Sequence, residues 1–325
     1  MSKSSGNSQS IFRRIMKIKE VSILIPLILI CVITTIGNSS FLYPDNIISL
    51  LRSVSLTTIG ALGMSFVLAT GAFDLSVGST YAFGAVIAGT CMVKCGISWP
   101  IAFIIGLAVG CIVGLINGLI ITKLSIPPLI TTLGMQYIVR GIINVMTHGS
   151  AVTGFPEGFK ILGGGKIGDV PISVFIALGI VILCFYVFKY TVYGRQVLAV
   201  GGNKETARVS GINVQRIEIS TYVVAGFAAA LVGLLTASRL ATAQSNAGDG
   251  WEMTLIASAV IGGTSLFGGN FTAIGTVIGV GIMEVLTVAT TLLKVDTYYQ
   301  KIIVGVIIIL AVGIDMAQRK RRERG

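Results

Sequence analysis

Apolar runs long enough to cross a bilayer recur along almost the whole of this 325-residue chain, which leaves very few folds open. A helix needs about 20 apolar residues to traverse a hydrocarbon core of about 30 Å. Runs of that order fall at 21–36, 47–70, 75–93, 99–121, 128–147, 171–188, 219–237, 253–268, 271–293 and 299–315, ten in all. Lipid offers no partner to unpaired backbone N–H and C=O groups, so open strands are excluded there. The apolar/polar alternation of a barrel strand is missing as well. With 54% hydrophobic and only 11% charged residues, and a mean hydropathy of +0.90, the chain lacks the charge of a soluble domain this size. The expectation is an all-α, polytopic membrane helical bundle of about ten transmembrane helices, one transmembrane domain over 21–316, in the cell membrane.

The net charge of +11 would suit nucleic acid, but its placement argues otherwise. Lys and Arg gather at Lys3 to Lys19, Lys189 to Arg216 and Arg319 to Arg324. Basic residues between spans mark the cytoplasmic side. Ten crossings starting inside put all three clusters there: a tail at 1–20, the stretch 189–218, and a tail at 317–325. The segment 148–170 then becomes the main outer loop. A basic start before Val21 to Ile36 also fits a secretory signal, but no small-residue cleavage site follows, so a retained first span is expected. The last cluster is a candidate contact for anionic membrane lipid, and no nucleic-acid partner is expected. Five cysteines give no disulfide framework. Cys31, Cys111 and Cys184 lie inside apolar runs, and Cys91 and Cys95 have no His or further Cys nearby to make a metal site.

Two glycine patterns stand out. Gly106, Gly110, Gly114 and Gly118 repeat every fourth residue and so share one helix face, where another backbone can approach closely, within the chain or from a second copy. At an offset of 191 residues, Gly71, Leu75, Gly78, Ala82, Gly84, Val86 and Ile87 match Gly262, Leu266, Gly269, Ala273, Gly275, Val277 and Ile278. This internal echo joins two spans in each copy, and glycine-interrupted segments at corresponding places point to a transporter's substrate path.

In the first copy Asp74 and Ser76 lie in the gap between spans. Asp74 reads as a cap for the following helix, as a polar element of a broken helix facing the path, or as both. Ser265 occupies the second copy. Arg140 and Glu284 fall inside spans, where a charge costs at least ~2.5 kcal/mol and is expected to find a partner. An Arg140–Glu284 pair is the expectation; a proton-coupled Glu284 is the rival. Asp74, Ser76, Arg140, Ser265 and Glu284 are the candidate path residues.

The stretch Gly201-Gly202-Asn203-Lys204-Glu205-Thr206-Ala207-Arg208-Val209-Ser210-Gly211 spells a short capped helix outside the membrane. Asn203 suits the N-cap, Glu205 the positive first turn and Gly211 the C′ position. It is either an ordinary surface helix or a docking element. No phosphate loop occurs: Gly165-Lys166 is followed by Ile167, and Lys160 stands where the first glycine belongs. The sole histidine, His148, has no metal-ligand cluster, so a membrane-embedded hydrolase has little support.

Four blocks in order resemble the permease subunits of ATP-binding cassette importers for monosaccharides, the ribose/xylose/arabinose type. They are Phe73-Asp74-Leu75-Ser76-Val77-Gly78, Gly201-Gly202-Asn203 through Ser210-Gly211-Ile212, Gly262-Gly263-Thr264-Ser265-Leu266 with Gly268-Gly269, and Tyr298-Tyr299-Gln300. The resemblance runs from about 40 to 316. Branched-chain amino-acid permeases share the architecture, but the Asp-Leu-Ser-Val-Gly block looks like the sugar branch. The resemblance implies a second permease subunit, identical or not, two cytoplasmic ATPase subunits and an extracytoplasmic sugar-binding protein. It implies no catalysis and no cofactor on this chain. It also implies that Gly201, Gly202, Asn203, Lys204, Glu205, Ala207, Arg208, Ser210 and Gly211 couple ATP-driven closure to the spans, and it includes Arg140, Arg239 and Glu252 in matching blocks. Two departures are Ala72, where the family has glycine, and Glu284, where it has small or apolar residues. The competing class is an ion-coupled secondary transporter.

Overall fold

The computed structural model describes residues 19–323; the basic tail before Lys19 and the last two residues lie outside it, as do the side chains of the final basic cluster. Each apolar run becomes a helix. In chain order these are α1 (Lys19–Gly37), α2 (Pro44–Ala69), α3 (Val77–Val93), α4 (Trp99–Lys123), α5 (Pro128–Thr147), a short α6 (Glu157–Gly164), and α7 (Ile172–Tyr190). There follow α8 (Val192–Gly202), α9 (Lys204–Val209), α10 (Val214–Leu240), α11 (Trp251–Ile261), α12 (Ala273–Leu292) and α13 (Thr297–Glu323). Among the described residues six are long and apolar enough to cross a membrane: α2, α4, α5, α7, α10 and α12. The fold is therefore a polytopic helical membrane bundle.

Proline sets several helix starts. Pro44, Pro100 and Pro128 sit in the first turns of α2, α4 and α5, where a missing N–H costs nothing and the fixed φ is already helical. Two small antiparallel pairings, β1 (Val152–Thr153) with β4 (Thr242–Ala243) and β2 (Lys166–Ile167) with β3 (Val170–Pro171), are the only strands among the described residues.

α10 is the hub. It packs on α2, α3, α4 and α6, and its side chains are buried along most of its length. The four-residue glycine ridge of α4 is an intrachain surface against it. A Cβ at Gly110 would strike the Gly226 carbonyl, one at Gly114 the Tyr222 carbonyl, and one at Gly118 would lie 2.7 Å from the Ile219 Cα. Backbones this close gain dispersion contacts that no larger residue permits.

Helix ends sort into two faces. On one, Tyr222 reaches Phe73, Asn117 reaches Ser76, Gln215 reaches Thr122, Lys204 pairs with Glu218, and Ser265 bonds Asp315. On the other, Asn38 bonds the Leu292 carbonyl, β1 pairs β4, and Gly163 bonds Ser238. The segment 148–170 is more ordered than a connector: α6 buries Phe159 and lays Gly163 on the Leu235 carbonyl. Ser238 stitches the contact, accepting from the Gly163 N–H at 2.7 Å and donating to the Phe159 carbonyl at 2.5 Å.

The run expected at 253–268 is helical only to Ile261, because Gly262 and the positive-φ Gly263, Gly268 and Gly269 turn the chain. Eleven residues make α11 about 17 Å long, well short of a hydrocarbon core. Both stretches of the internal echo fall on a helix–turn–helix, but the second turn is longer, 262–272 against 70–76, and the helix before it, α11, is not among those long enough to span. Gly78 thus opens α3, while its counterpart Gly269 remains in the turn.

Candidate functional site: the broken helices and the segment 201–211

The turn between α2 and α3 lies inside the bundle. Tyr222, eight residues into α10, donates to the Phe73 carbonyl at 3.3 Å. Asn117, six residues before the end of α4, donates to Ser76 Oγ at 2.8 Å. At 1.5 Å per residue the turn sits about 9–12 Å inside the helix ends. Asp74 and Ser76 are brought together there, both essentially inaccessible. Asp74 Oδ1 accepts from the Ser76 N–H at 2.8 Å, from Ser76 Oγ at 2.6 Å and, weakly, from Asn117 Nδ2 at 3.5 Å. Asp74 therefore holds the residue that enters α3 and not the free N–H groups of the helix itself. Asn117 was not foreseen from sequence; it is the polar residue that interrupts the apolar face of α4 beside Gly118.

From the opposite face the segment 241–250 dives to meet this turn. The Gly248 carbonyl lies where a Cβ of Gly78 would stand, and Trp251 packs over Gly60 and against Tyr81, ring centroids 5.1 Å apart. Arg140 binds the junction. Its guanidinium donates to the Ser245 carbonyl, to the Ala247 carbonyl at 3.0 Å and to the Gly78 carbonyl at 3.4 Å. Glu252, buried at the first turn of α11, meets Gln136 at 3.5 Å.

The expected Arg140–Glu284 pair is not formed. α5 packs on α3 and α4, whereas α12 packs on α1, α2 and α11, so the two charges lie on different sides of the bundle. Arg140 is met by backbone carbonyls instead, and Glu284 Oε1 accepts from Thr57 Oγ1 at 2.7 Å. Ser265 lies elsewhere again. With the Leu266 N–H it donates to Asp315 of α13, at 3.0 and 3.3 Å, an anchor that sequence reading missed. His148 is the exposed left-handed C-cap of α5 and takes part in none of these hydrogen bonds.

The segment 201–211 folds as its caps dictate. Asn203 Oδ1 accepts from the Thr206 N–H at 2.9 Å, α9 runs Lys204–Val209, and Gly211 follows the Ser210 cap at φ +84°. Glu205 and Arg208 pair on the exposed surface at 3.1 Å. Two features tie this small helix to the bundle. Lys204 pairs at 2.6 Å with the largely buried Glu218 of α10, and Ala207 enters an apolar cluster with Val197, Val200 and Ile217. Next to it three backbones converge. Gly269 N–H donates to the Ala69 carbonyl at 2.9 Å, and Cβ atoms at Gly201 and Gly268 would collide with Ala69 and with Gly201 respectively. The end of α2, the end of α8 and the turn 262–272 thus approach most closely at glycine backbones, beside the Phe66–Phe271 ring contact, while Gly202 faces open space.

The comparisons agree with this architecture. Residues 46–312 match the family described as branched-chain amino acid transport system / permease component. The chain is 42% identical over 293 residues to the ribose import permease protein of Bacillus subtilis, covering 89% of this chain and 90% of that one. It is 37% identical over 309 residues to the ribose import permease protein of Escherichia coli K12, covering 94% and 95%. It is 36% identical over 282 residues to the L-arabinose ABC transporter permease protein of Azospirillum brasilense, covering 87% and 83%. No solved structure matches. The chain belongs to the branched-chain amino acid transport system permease family and, within it, to the ribose/arabinose-type permeases of ATP-binding cassette importers.

Proposed function

We propose that this chain is one of two permease subunits that carry a ribose-type monosaccharide into the cell, driven by a separate cytoplasmic ATPase and fed by an extracytoplasmic sugar-binding protein. The sugar comes from the relatives, which are named as ribose and L-arabinose permeases. The single observation that carries the mechanism is the geometry of α9: an exposed capped helix, ion-paired to the hub α10 and set beside the glycine junction of α2, α8 and the turn 262–272. Force applied to α9 by a closing ATPase pair passes through stiff backbone contacts into α2, and from α2 into the turn that starts α3. Alternating access then follows as the two permease bundles tilt.

The proposed path runs along the broken elements, with Arg140, Glu252 and the turn holding Asp74 and Ser76 near its constriction. Non-helical backbone at membrane depth is tolerated where it lines a cavity or is buried in protein. The proposed orientation has ten crossings with both tails and the stretch 189–218 in the cytoplasm. The sorting of helix ends into two faces supports it, with Lys189, Arg195, Lys204, Arg208 and Arg216 following positive-inside placement.

The test is a mild-detergent pull-down of the tagged chain from its host, followed by uptake in vesicles. A Walker-motif ATPase in roughly equal amount, and ribose uptake that needs ATP and survives a proton ionophore, is the expected result. Uptake abolished by the ionophore with ATP still present assigns the chain to ion-coupled transport, with Glu284 or Asp74 as the proton-linked group. Competition by leucine in place of ribose moves the substrate to branched-chain amino acids.

A further inference from the structure

An open groove of about 510 Å³ lies at the basic face of the bundle, lined by Tyr193, Arg216, Ile219, Ser220, Val223 and Val224. Its lining is graded along α10. Arg216 stands at the mouth in the first turn, Ile219 and Ser220 follow one turn later, and Val223 and Val224 close the inner end about 11 Å further on. Tyr193, from the first turn of α8, bridges the middle by a 2.7 Å hydrogen bond between its hydroxyl and Ser220 Oγ. Among the described residues Arg216 has no carboxylate partner, since the ion pairs there are Lys160–Glu157, Lys204–Glu218 and Arg208–Glu205.

A cation and an amphipathic aromatic at the mouth, with an aliphatic floor running toward the membrane centre, match the order of headgroup, interface and acyl chain in one lipid. We propose that this groove binds an anionic phospholipid, its phosphate on Arg216 and one acyl chain against Ile219, Val223 and Val224. The lipid fills the space between the start of α8 and the start of α10. It therefore braces the part of α10 that carries Glu218, the partner of Lys204 in α9. Membrane composition would thereby adjust how firmly the docking helix is held. Placement in the inner leaflet rests on the orientation proposed above; lipid binding in micelles does not, so the two fail separately.

The experiment is native mass spectrometry of the purified, delipidated full-length chain titrated with phosphatidylglycerol or phosphatidylcholine of identical acyl chains. Glycerol phosphate serves as the headgroup control. One basic contact at the surface corresponds to about fivefold in affinity. The expected result is phosphatidylglycerol retained about fivefold better than phosphatidylcholine. That preference is lost in Arg216→Gln, and occupancy of both lipids falls in Val223→Trp, which fills the floor. Arg216 is exposed, so its variant reports even if the tryptophan variant fails to fold. Equal retention of the two lipids, no change in Arg216→Gln, or displacement of lipid by glycerol phosphate alone overturns the proposal. So does a cross-link in native membranes from Val223→Cys to an ATPase or a second permease, because the groove would then be covered by protein.

Discussion

All three hydrogen bonds that hold Asp74 end on one oxygen, Oδ1. The carboxylate is thus used as an acceptor, and an amide oxygen can accept, more weakly, in the same place. Asp74→Asn keeps that acceptor and should leave both membrane abundance and sugar uptake within about twofold of wild type. Asp74→Ala removes it and orphans the buried Ser76 N–H, a loss of about 1–3 kcal/mol for each unsatisfied donor. Its abundance should fall severalfold, read by immunoblot of membranes and by the thermal midpoint in detergent. If Asp74→Asn accumulates normally yet transports nothing, the carboxylate carries a proton and the ATP-driven reading of this turn is wrong. Sequence reading found Asp74 because it sits in a gap between apolar runs. It missed Asn117, whose partner is 41 residues away, because one polar residue in an apolar helix does not reveal which turn it will meet.

At the scale of elements, α9 is only six residues long and contributes just Ala207 to the core. Ala207→Pro deletes the bond from the Ala207 N–H to the Asn203 carbonyl, 2.9 Å, and distorts the helix without touching a spanning segment. ATP-dependent uptake should drop at least about tenfold while insertion and abundance persist; such a drop corresponds to about 1.4 kcal/mol of lost coupling. Normal uptake by this variant would remove the docking role. This element was readable beforehand because its caps are local: Asn203, Glu205 and Gly211 act within one turn of themselves. The Arg140–Glu284 pairing failed for the opposite reason. Apolar periodicity says that α5 and α12 cross the bilayer but not which helices they pack on, and each charge took the nearest polar atoms. α6 escaped notice since eight residues around Gly163 and Gly164 carry too little hydrophobicity to stand out, and its order comes from Ser238 on α10.

For the molecule as a whole, the placement of every proposed partner depends on which face is cytoplasmic. Asp169 lies in the exposed turn between β2 and β3 on the face of α6, and Glu205 lies exposed in α9 on the opposite face. Because α6 is pinned to the end of α10 and α9 is ion-paired to its beginning, these two residues are held at opposite ends of one 27-residue helix. That helix is about 40 Å long, so no tilt of the bundle brings both to the same surface of a 30 Å core. A background of Cys91→Ser and Cys95→Ser removes the thiols near the 148–171 face, and single cysteines then go in at 169 or 205. An impermeant maleimide should label Asp169→Cys in intact cells and Glu205→Cys only after permeabilisation. Labelling of Glu205→Cys in intact cells would invert the bundle. It would put α9 beyond the reach of a cytoplasmic ATPase, and the coupling role and the inner-leaflet placement of the lipid would fall together, leaving the fold itself untouched.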